Sequence, residues 1–176
     1  MSKRVFLAIN ISTKLKEKIA ADFLDKLQIK GLKPVKKENL HLTMKFLGDC
    51  SEDAIEIIIH KLQALNKIKK FEIELKGIGD FEKKVIWIGV TKSNDELVKI
   101  NSQINSLLSL GEEKFSSHLT LARNKFLDHD KLTDILNELN KIEFKEKIFS
   151  ESLDLMESKL TPNGPKYFVL KKIEFR

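Results

Sequence analysis

Cysteine is almost absent: Cys50 is the only one in 176 residues. That excludes an internal disulfide and a cysteine metal cluster, and it makes the cytoplasm the expected compartment. Proline and glycine are also scarce, three and seven, and no linker or low-complexity segment divides the chain. No apolar run approaches the length of a membrane span. The opening MSKRVFLAINIST has a basic pair and a short apolar run, but Asn10 and Ser12 break the run and no small-residue cleavage site follows. It reads as a first strand, not a signal peptide. Histidine is rare as well, with four copies.

What is present suits one packed protein. Hydrophobic residues make up 41% and charged residues 33%, and the length allows a sizeable core. The net charge is +6, from 32 Lys and Arg against 26 Asp and Glu. That favours an anionic partner such as RNA, although scattered lysines are often only solvated surface.

Periodicity predicts a strand at VFLAI (5–9), then a helix capped by Ser12 or Thr13 with Leu15, Ile19, Phe23 and Leu27 on one face. Gly31 and Pro34 mark a loop before the strand LHLTMKFLG. Cys50 to Asp53 opens a helix with Ile55, Ile58, Ile59, Leu62 and Leu65 inward, and FEIEL (71–75) is the next strand, with a turn at Gly77, Gly79 and Asp80. The order then restarts. VIWIGV (85–90) is a strand, and Ser93 or Asn94 caps a helix bearing Leu97, Ile100, Ile104, Leu107 and Leu108. SHLTLA is a strand, Asp128 starts a helix bearing Leu132, Ile135, Leu136 and Leu139, and IEFKEKIF (142–149) is a strand. SLDLMES and KYFVLKKIEF form a final strand pair joined through Pro162 to Pro165.

The first strands of the halves begin at 5 and 85 and two histidines fall at 41 and 118, offsets of 80 and 77. This is an internal repeat. The expected architecture is one α+β domain with two pseudo-symmetric lobes of antiparallel sheet, about 1–80 and 81–150, plus C-terminal strands 151–176. Helices flank the sheet and a cleft lies between the lobes.

Each half carries the same short pattern, HLTM at 41–44 and HLTL at 118–121. Alternate residues of a strand share a face, so His41 and Thr43 point one way and Leu42 and Met44 the other. His118 and Thr120 repeat this against Leu119 and Leu121. Pseudo-twofold symmetry would turn both His-Thr pairs into one cleft. Two imidazoles can work as general acid and base near neutral pH, and two hydroxyls can donate to phosphate oxygens. A lone His-x-Thr is usually structural; two at matching places in a repeat are not easily dismissed. With only two converging histidines and no acidic residue in either motif, a zinc site lacks ligands, so neither metal nor cofactor is expected. His60 and His129 read as surface or structural residues, and Cys50 as an inert thiol.

The stretch His41 to Gly48, preceded by Glu38-Asn39-Leu40, resembles the first motif of the two-histidine phosphoesterase superfamily, and Phe115 to Arg123 resembles the second. The similar branch is the RNA 2′,3′-cyclic phosphodiesterase (2′-5′ RNA ligase) family. Val5 to Ile9, Val85 to Val90, Glu157 to Leu160 and Gly164 to Tyr167 resemble its opening strand, middle strand and tail. Ser117, Pro34 and Lys84 depart from its usual proline, aromatic and arginine. The resemblance implies metal-free hydrolysis of an RNA-terminal 2′,3′-cyclic phosphate to a 2′-phosphate, with a reverse reaction forming 2′-5′ linkages. It implies that one of His41 and His118 activates water while the other protonates the departing 3′ oxygen, with His118 taken here as base and His41 as acid and the reverse assignment left open. It also implies Thr43 and Thr120 on the non-bridging oxygens, and Arg123 on phosphate or simply solvated. Tyr167 or Phe6 would stack on a base, core packing being the preferred role for Phe6. The implied partner is RNA with a cyclic phosphate end, tRNA fragments included, and the expected state is a monomer off the membrane. Two rivals stay open: a phosphodiesterase acting on 2′-5′ oligoadenylates or small cyclic nucleotides, and a non-catalytic RNA 3′-end binding protein.

Overall fold

Short-range signals set most of the elements. The Ser12 hydroxyl accepts the Leu15 amide and starts α1 (Thr13–Ile19). Ser51 and Asp128 do the same for α2 (Glu52–Leu62) and α4 (His129–Asn140). The helix predicted through Leu27 loses its α geometry after Ile19. It runs on as one π turn and one 3₁₀ turn that still bury Phe23, Leu24 and Leu27. The third long helix, α3 (Asn94–Leu108), follows a left-handed Ser93 that gives it no side-chain cap; the Ser93 hydroxyl donates instead to the Glu72 carbonyl.

The computed structural model describes residues 2–176. Their strands are β1 (Ser2–Asn10), β2 (Leu32–Pro34), β3 (His41–Ser51), β4 (Phe71–Phe81), β5 (Val85–Lys92), β6 (His118–Asn124), β7 (Lys145–Ser150), β8 (Ser152–Thr161) and β9 (Gly164–Glu174). They form one antiparallel sheet in the order β7-β4-β5-β6-β3-β1-β8-β9, with β2 also paired to β6. The class is α+β, as expected. Two local readings change. The stretch 32–34, predicted as loop, is the strand β2, and Cys50 lies in β3 instead of opening a helix.

The sheet does not divide where the repeat does. β4 comes from the first half of the chain, yet it pairs with β5 and β7 of the second half. β8 and β9 complete the other side beside β1 and β3. A lobe boundary near residue 80 therefore has no counterpart in the strand pairing. The reason is the turn: Gly77, Gly79 and Asp80 lie inside β4, and the chain reverses at Glu82 and Lys83, both left-handed (φ 49° and 58°). The Lys83 amide donates to the Asp80 carboxylate at 2.6 Å and closes that turn. A tight hairpin holds β4 against β5 whichever repeat it belongs to.

The motif strands meet at the middle of the sheet, where Leu42 is registered with Leu119. Both leucines are buried in the main core, beneath Leu97, Ile100 and Ile104 of α3. α2 and α3 pack together over β3, and α4 packs on β4. Each motif strand carries a bulge at the same place. Leu7 faces Lys45 and Ala8 faces Thr43, leaving Met44 unmatched. Ile86 faces Ala122 and Trp87 faces Thr120, leaving Leu121 unmatched. The extra residue reverses the alternation beyond it, so Phe46 and Arg123 return to the His-Thr face.

Gly79 has a packing duty. A Cβ there would lie 2.3 Å from the Trp87 ring, which covers it. Gly79→Ala is expected to destabilise the fold by about 1–3 kcal/mol, the usual cost of overpacking. Urea denaturation followed by fluorescence of Trp87, the only tryptophan, checks this.

Candidate active site

Past the single registered pair, β3 and β6 diverge, and the space between them is a cleft of about 450 Å³. His41, Thr43, His118, Thr120, Arg123 and Tyr167 all line it. The antiparallel pairing at Leu42 and Leu119 puts His41 on the same side of that pair as Thr120, and Thr43 on the same side as His118. The leucine side chains point into the core and the His-Thr pairs point out, as the alternation requires.

Both imidazoles are held in the same way. His41 Nδ1 lies 2.7 Å from the Asn39 carbonyl, and His118 Nδ1 lies 2.7 Å from the Ser116 carbonyl. A carbonyl only accepts, so Nδ1 carries the hydrogen and each neutral ring keeps its lone pair on Nε2. At His41 the Thr43 hydroxyl donates to that Nε2 at 2.8 Å. The segments supplying the carbonyls are themselves tied down. The Asn39 amide donates to the Pro165 carbonyl at 2.8 Å, which fixes the β8–β9 hairpin beside the first motif. The Ser117 hydroxyl donates to Asn94 Oδ1 at 2.6 Å, which fixes the second motif to the start of α3.

Aromatic rings close around each histidine. The Phe6 centroid lies 5.1 Å from His41, and Tyr167 meets His41 edge-on at 5.4 Å. Phe6 is buried, but in a small cluster with Ala8, Met156 and Tyr167 apart from the main core. Phe81 meets His118 edge-on at 4.8 Å and packs against Trp87. Burial pushes the His41 pKa down to about 4, with the Asn39 carbonyl opposing and the positive charge of Lys16 and His118 adding to the fall. Burial lowers His118 too, opposed by the Ser116 carbonyl and assisted by Arg123. Burial raises the Tyr167 phenol.

The rim is cationic. Lys33, Lys36, Lys45, Lys114, Lys125 and Arg123 line the cleft against one carboxylate, Glu113, which pairs with Lys45 at 3.1 Å. Lys33 is registered with Arg123 across β2 and β6. Sequence reasoning did not single out these lysines, nor Phe46 and Asn101, which also line the cleft. The lysines sit among many others, and Phe46 is hidden by the bulge. Asn101 lies on the core face of α3, where its amide donates to the Met44 carbonyl at 2.6 Å. His60 is exposed on α2 and His129 begins α4 at the surface, both outside the cleft. Among the described residues, no three His, Cys, Asp or Glu side chains gather as metal ligands would. No helix among them is long and apolar enough to cross a membrane.

Two histidines presenting Nε2 to one basic cleft, on motif strands related by a repeat, belong to a phosphoesterase type of site. The model of the LigT-like phosphoesterase family matches the chain twice, over residues 12–87 and 88–167, and the chain belongs to that family. Among its relatives, the RNA 2′,3′-cyclic phosphodiesterase of Methanocaldococcus jannaschii is 41% identical over 178 residues, covering 96% of this chain and 99% of the relative. The protein of the same name from Thermotoga maritima is 33% identical over 184 residues, covering 98% and 95%. The fold is also that of Escherichia coli LigT, solved in complex with 3′-AMP, with a TM-score of 0.81 over 99% of both chains at 20% identity.

The His41 ring is expected to titrate at about 4 in a histidine NMR pH series, with its proton on Nδ1 when neutral. Replacing His118 by Ala removes a positive neighbour and should move that value upward.

Proposed function

We propose that the chain hydrolyses an RNA-terminal 2′,3′-cyclic phosphate to a 2′-phosphate by acid–base catalysis between His41 and His118, as the names of its relatives suggest. The observation that carries this reading is the matched anchoring of both Nδ1 atoms, which turns two Nε2 atoms into one cationic cleft. His118 Nε2 takes a proton from water as its oxygen attacks phosphorus. The bond from phosphorus to O3′ breaks, and His41 Nε2–H delivers the proton that O3′ needs. The products are a 2′-phosphate and a free 3′ hydroxyl, and the sequence so written needs no metal.

The assignment of roles follows the surroundings. His118 has an Nε2 without a side-chain partner in the hydrogen bonds of the site, so its lone pair is free for water. His41 is neutral in the free protein and must be loaded with a proton. A phosphate anion does this: the burial that keeps the empty site neutral also strengthens the field of an anion beside it. Once Nε2 is protonated, the Thr43 hydroxyl no longer has a lone pair there to donate to and turns to a non-bridging oxygen, opposite Thr120. Arg123 adds its charge to the phosphate, and Tyr167 holds the His41 ring while its outer edge is available to the substrate. The reverse reaction forms a 2′-5′ linkage from the same groups. A monomer acting on RNA ends in the cytoplasm, tRNA fragments among them, completes the reading.

The test is incubation of the protein, in EDTA, with an RNA oligomer ending in a 2′,3′-cyclic phosphate, with phosphorus NMR of the product. A 2′-phosphate is expected; an untouched substrate overturns the reading. His41→Ala and His118→Ala are each expected to lower kcat by about 10²–10⁴-fold, and Thr43→Ala or Thr120→Ala by less, since each removes one hydrogen bond. The pH profile of kcat/KM reports the free protein. It should be bell-shaped with both limbs below the ordinary imidazole value of 6.5 and one of them near 4. The basic limb of kcat should lie higher, because bound phosphate stabilises the imidazolium.

A further inference from the structure

The cations of the cleft rim are not equivalent. Lys33, Lys36, Lys114 and Lys125 are exposed. Lys45 is not. It is registered with Leu7, a core residue, so its stem starts on the buried side of β3, and its side chain is only 10% exposed. Its ammonium emerges against the irregular segment 110–117 that joins α3 to β6, where it meets the Glu113 carboxylate at 3.1 Å. Glu113 is 80% exposed and is the only carboxylate on the cleft wall. The dependence within this pair runs one way. An ammonium withdrawn from water needs a counter-charge, whereas an exposed carboxylate is well solvated without one. Lys45 therefore has to hold an anion, and Glu113 is free to leave it. A phosphate offers Lys45 the same charge-assisted acceptors.

We infer that Glu113 is an internal competitor for the Lys45 ammonium, holding the place of the phosphate on the 5′ oxygen of the terminal nucleotide until RNA displaces it. This rests on the reaction proposed above and adds a specificity determinant to it. The cyclic phosphate goes to the histidines, and Lys45 exchanges Glu113 for the next phosphate of the chain. An RNA end supplies both anions; a free nucleoside cyclic phosphate supplies one and leaves Glu113 in place. The pair lowers affinity for RNA but keeps Lys45 neutralised while the cleft is empty.

The experiment compares kcat/KM for adenosine 2′,3′-cyclic phosphate with that for the same nucleotide carrying a 5′-phosphate, which adds only the anion assigned to Lys45. Glu113→Gln removes the competitor. It is expected to raise the preference for the 5′-phosphorylated substrate about threefold, within the range of an exposed ion pair. Lys45→Met keeps an apolar stem and removes the charge, and should lower that preference about tenfold, as the loss of a hydrogen bond to a charged group does. Adding Glu113→Gln to Lys45→Met should then have no further effect, because no ammonium is left to compete for. Glu112→Gln makes the same charge change at an exposed neighbour outside the cleft and should leave the preference as it was. An unchanged preference in Glu113→Gln, or an equal rise in the Lys45→Met background or in Glu112→Gln, overturns the inference. If the unaltered protein turns over neither substrate, the proposed reaction fails, and calorimetric binding decides the pair alone. Glu113→Gln should then tighten adenosine 3′,5′-bisphosphate relative to adenosine 3′-phosphate by the same factor; an unchanged ratio of affinities overturns the competitor.

Discussion

The pairing of Leu42 with Leu119 is the contact on which the site depends. It is the one registered position between β3 and β6, and it ties the two copies of the repeat at their matching residue. Both leucines lie in the core under α3, so their burial holds the strands together where few backbone bonds do. Because the pairing is antiparallel, each motif meets the other reversed, and a His-Thr pair from one copy stands across from a Thr-His pair from the other. Because it is short, the strands part on either side and leave room for a small charged group.

Around that contact the protein keeps its histidines neutral and aimed. Aromatic rings remove water from both imidazoles, which disfavours the charged form. A main-chain carbonyl two residues earlier fixes each tautomer, a device built from the strand entry itself and repeated in both copies. The local ties differ, Asn39 to the β8–β9 hairpin and Ser117 to α3. Equivalent rings are thus held by inequivalent supports, and the His41 side is the more enclosed. A symmetric scaffold acquires two inequivalent histidine positions in this way.

The cleft is basic at its rim and apolar beside His41, which separates attraction from chemistry. Exposed cations draw an anion toward the site over a distance set by salt. In the proposed reaction the enclosed imidazoles respond only when the anion arrives. Burial of the histidines is a cost to the empty protein and a source of sensitivity to charge in the filled one.

The α+β class, the repeat and most helix positions were legible in the sequence, because they rest on short-range pattern: period, caps, and a motif written twice; the six residues singled out as candidates line one cleft. The π and 3₁₀ turns after Ile19 were not, since the apolar period continues through them. The glycines of β4 were misread as a turn because Gly77 serves a left-handed strand position and Gly79 the ring of Trp87, demands that come from a neighbouring strand. The strand pairing across the repeat was not legible either, since the Glu82–Lys83 hairpin sets β4 beside β5. Phe46 and Lys33 stayed invisible, one behind a bulge defined only by its pairing with β1, the other behind a register with Arg123. By itself the sequence determined where most strands and helices form and that two His-Thr pairs exist. Only the tertiary structure decided that they share a cleft, which ring atoms face it, and how its two ends differ, because register, bulges and burial exist only between segments far apart in the chain.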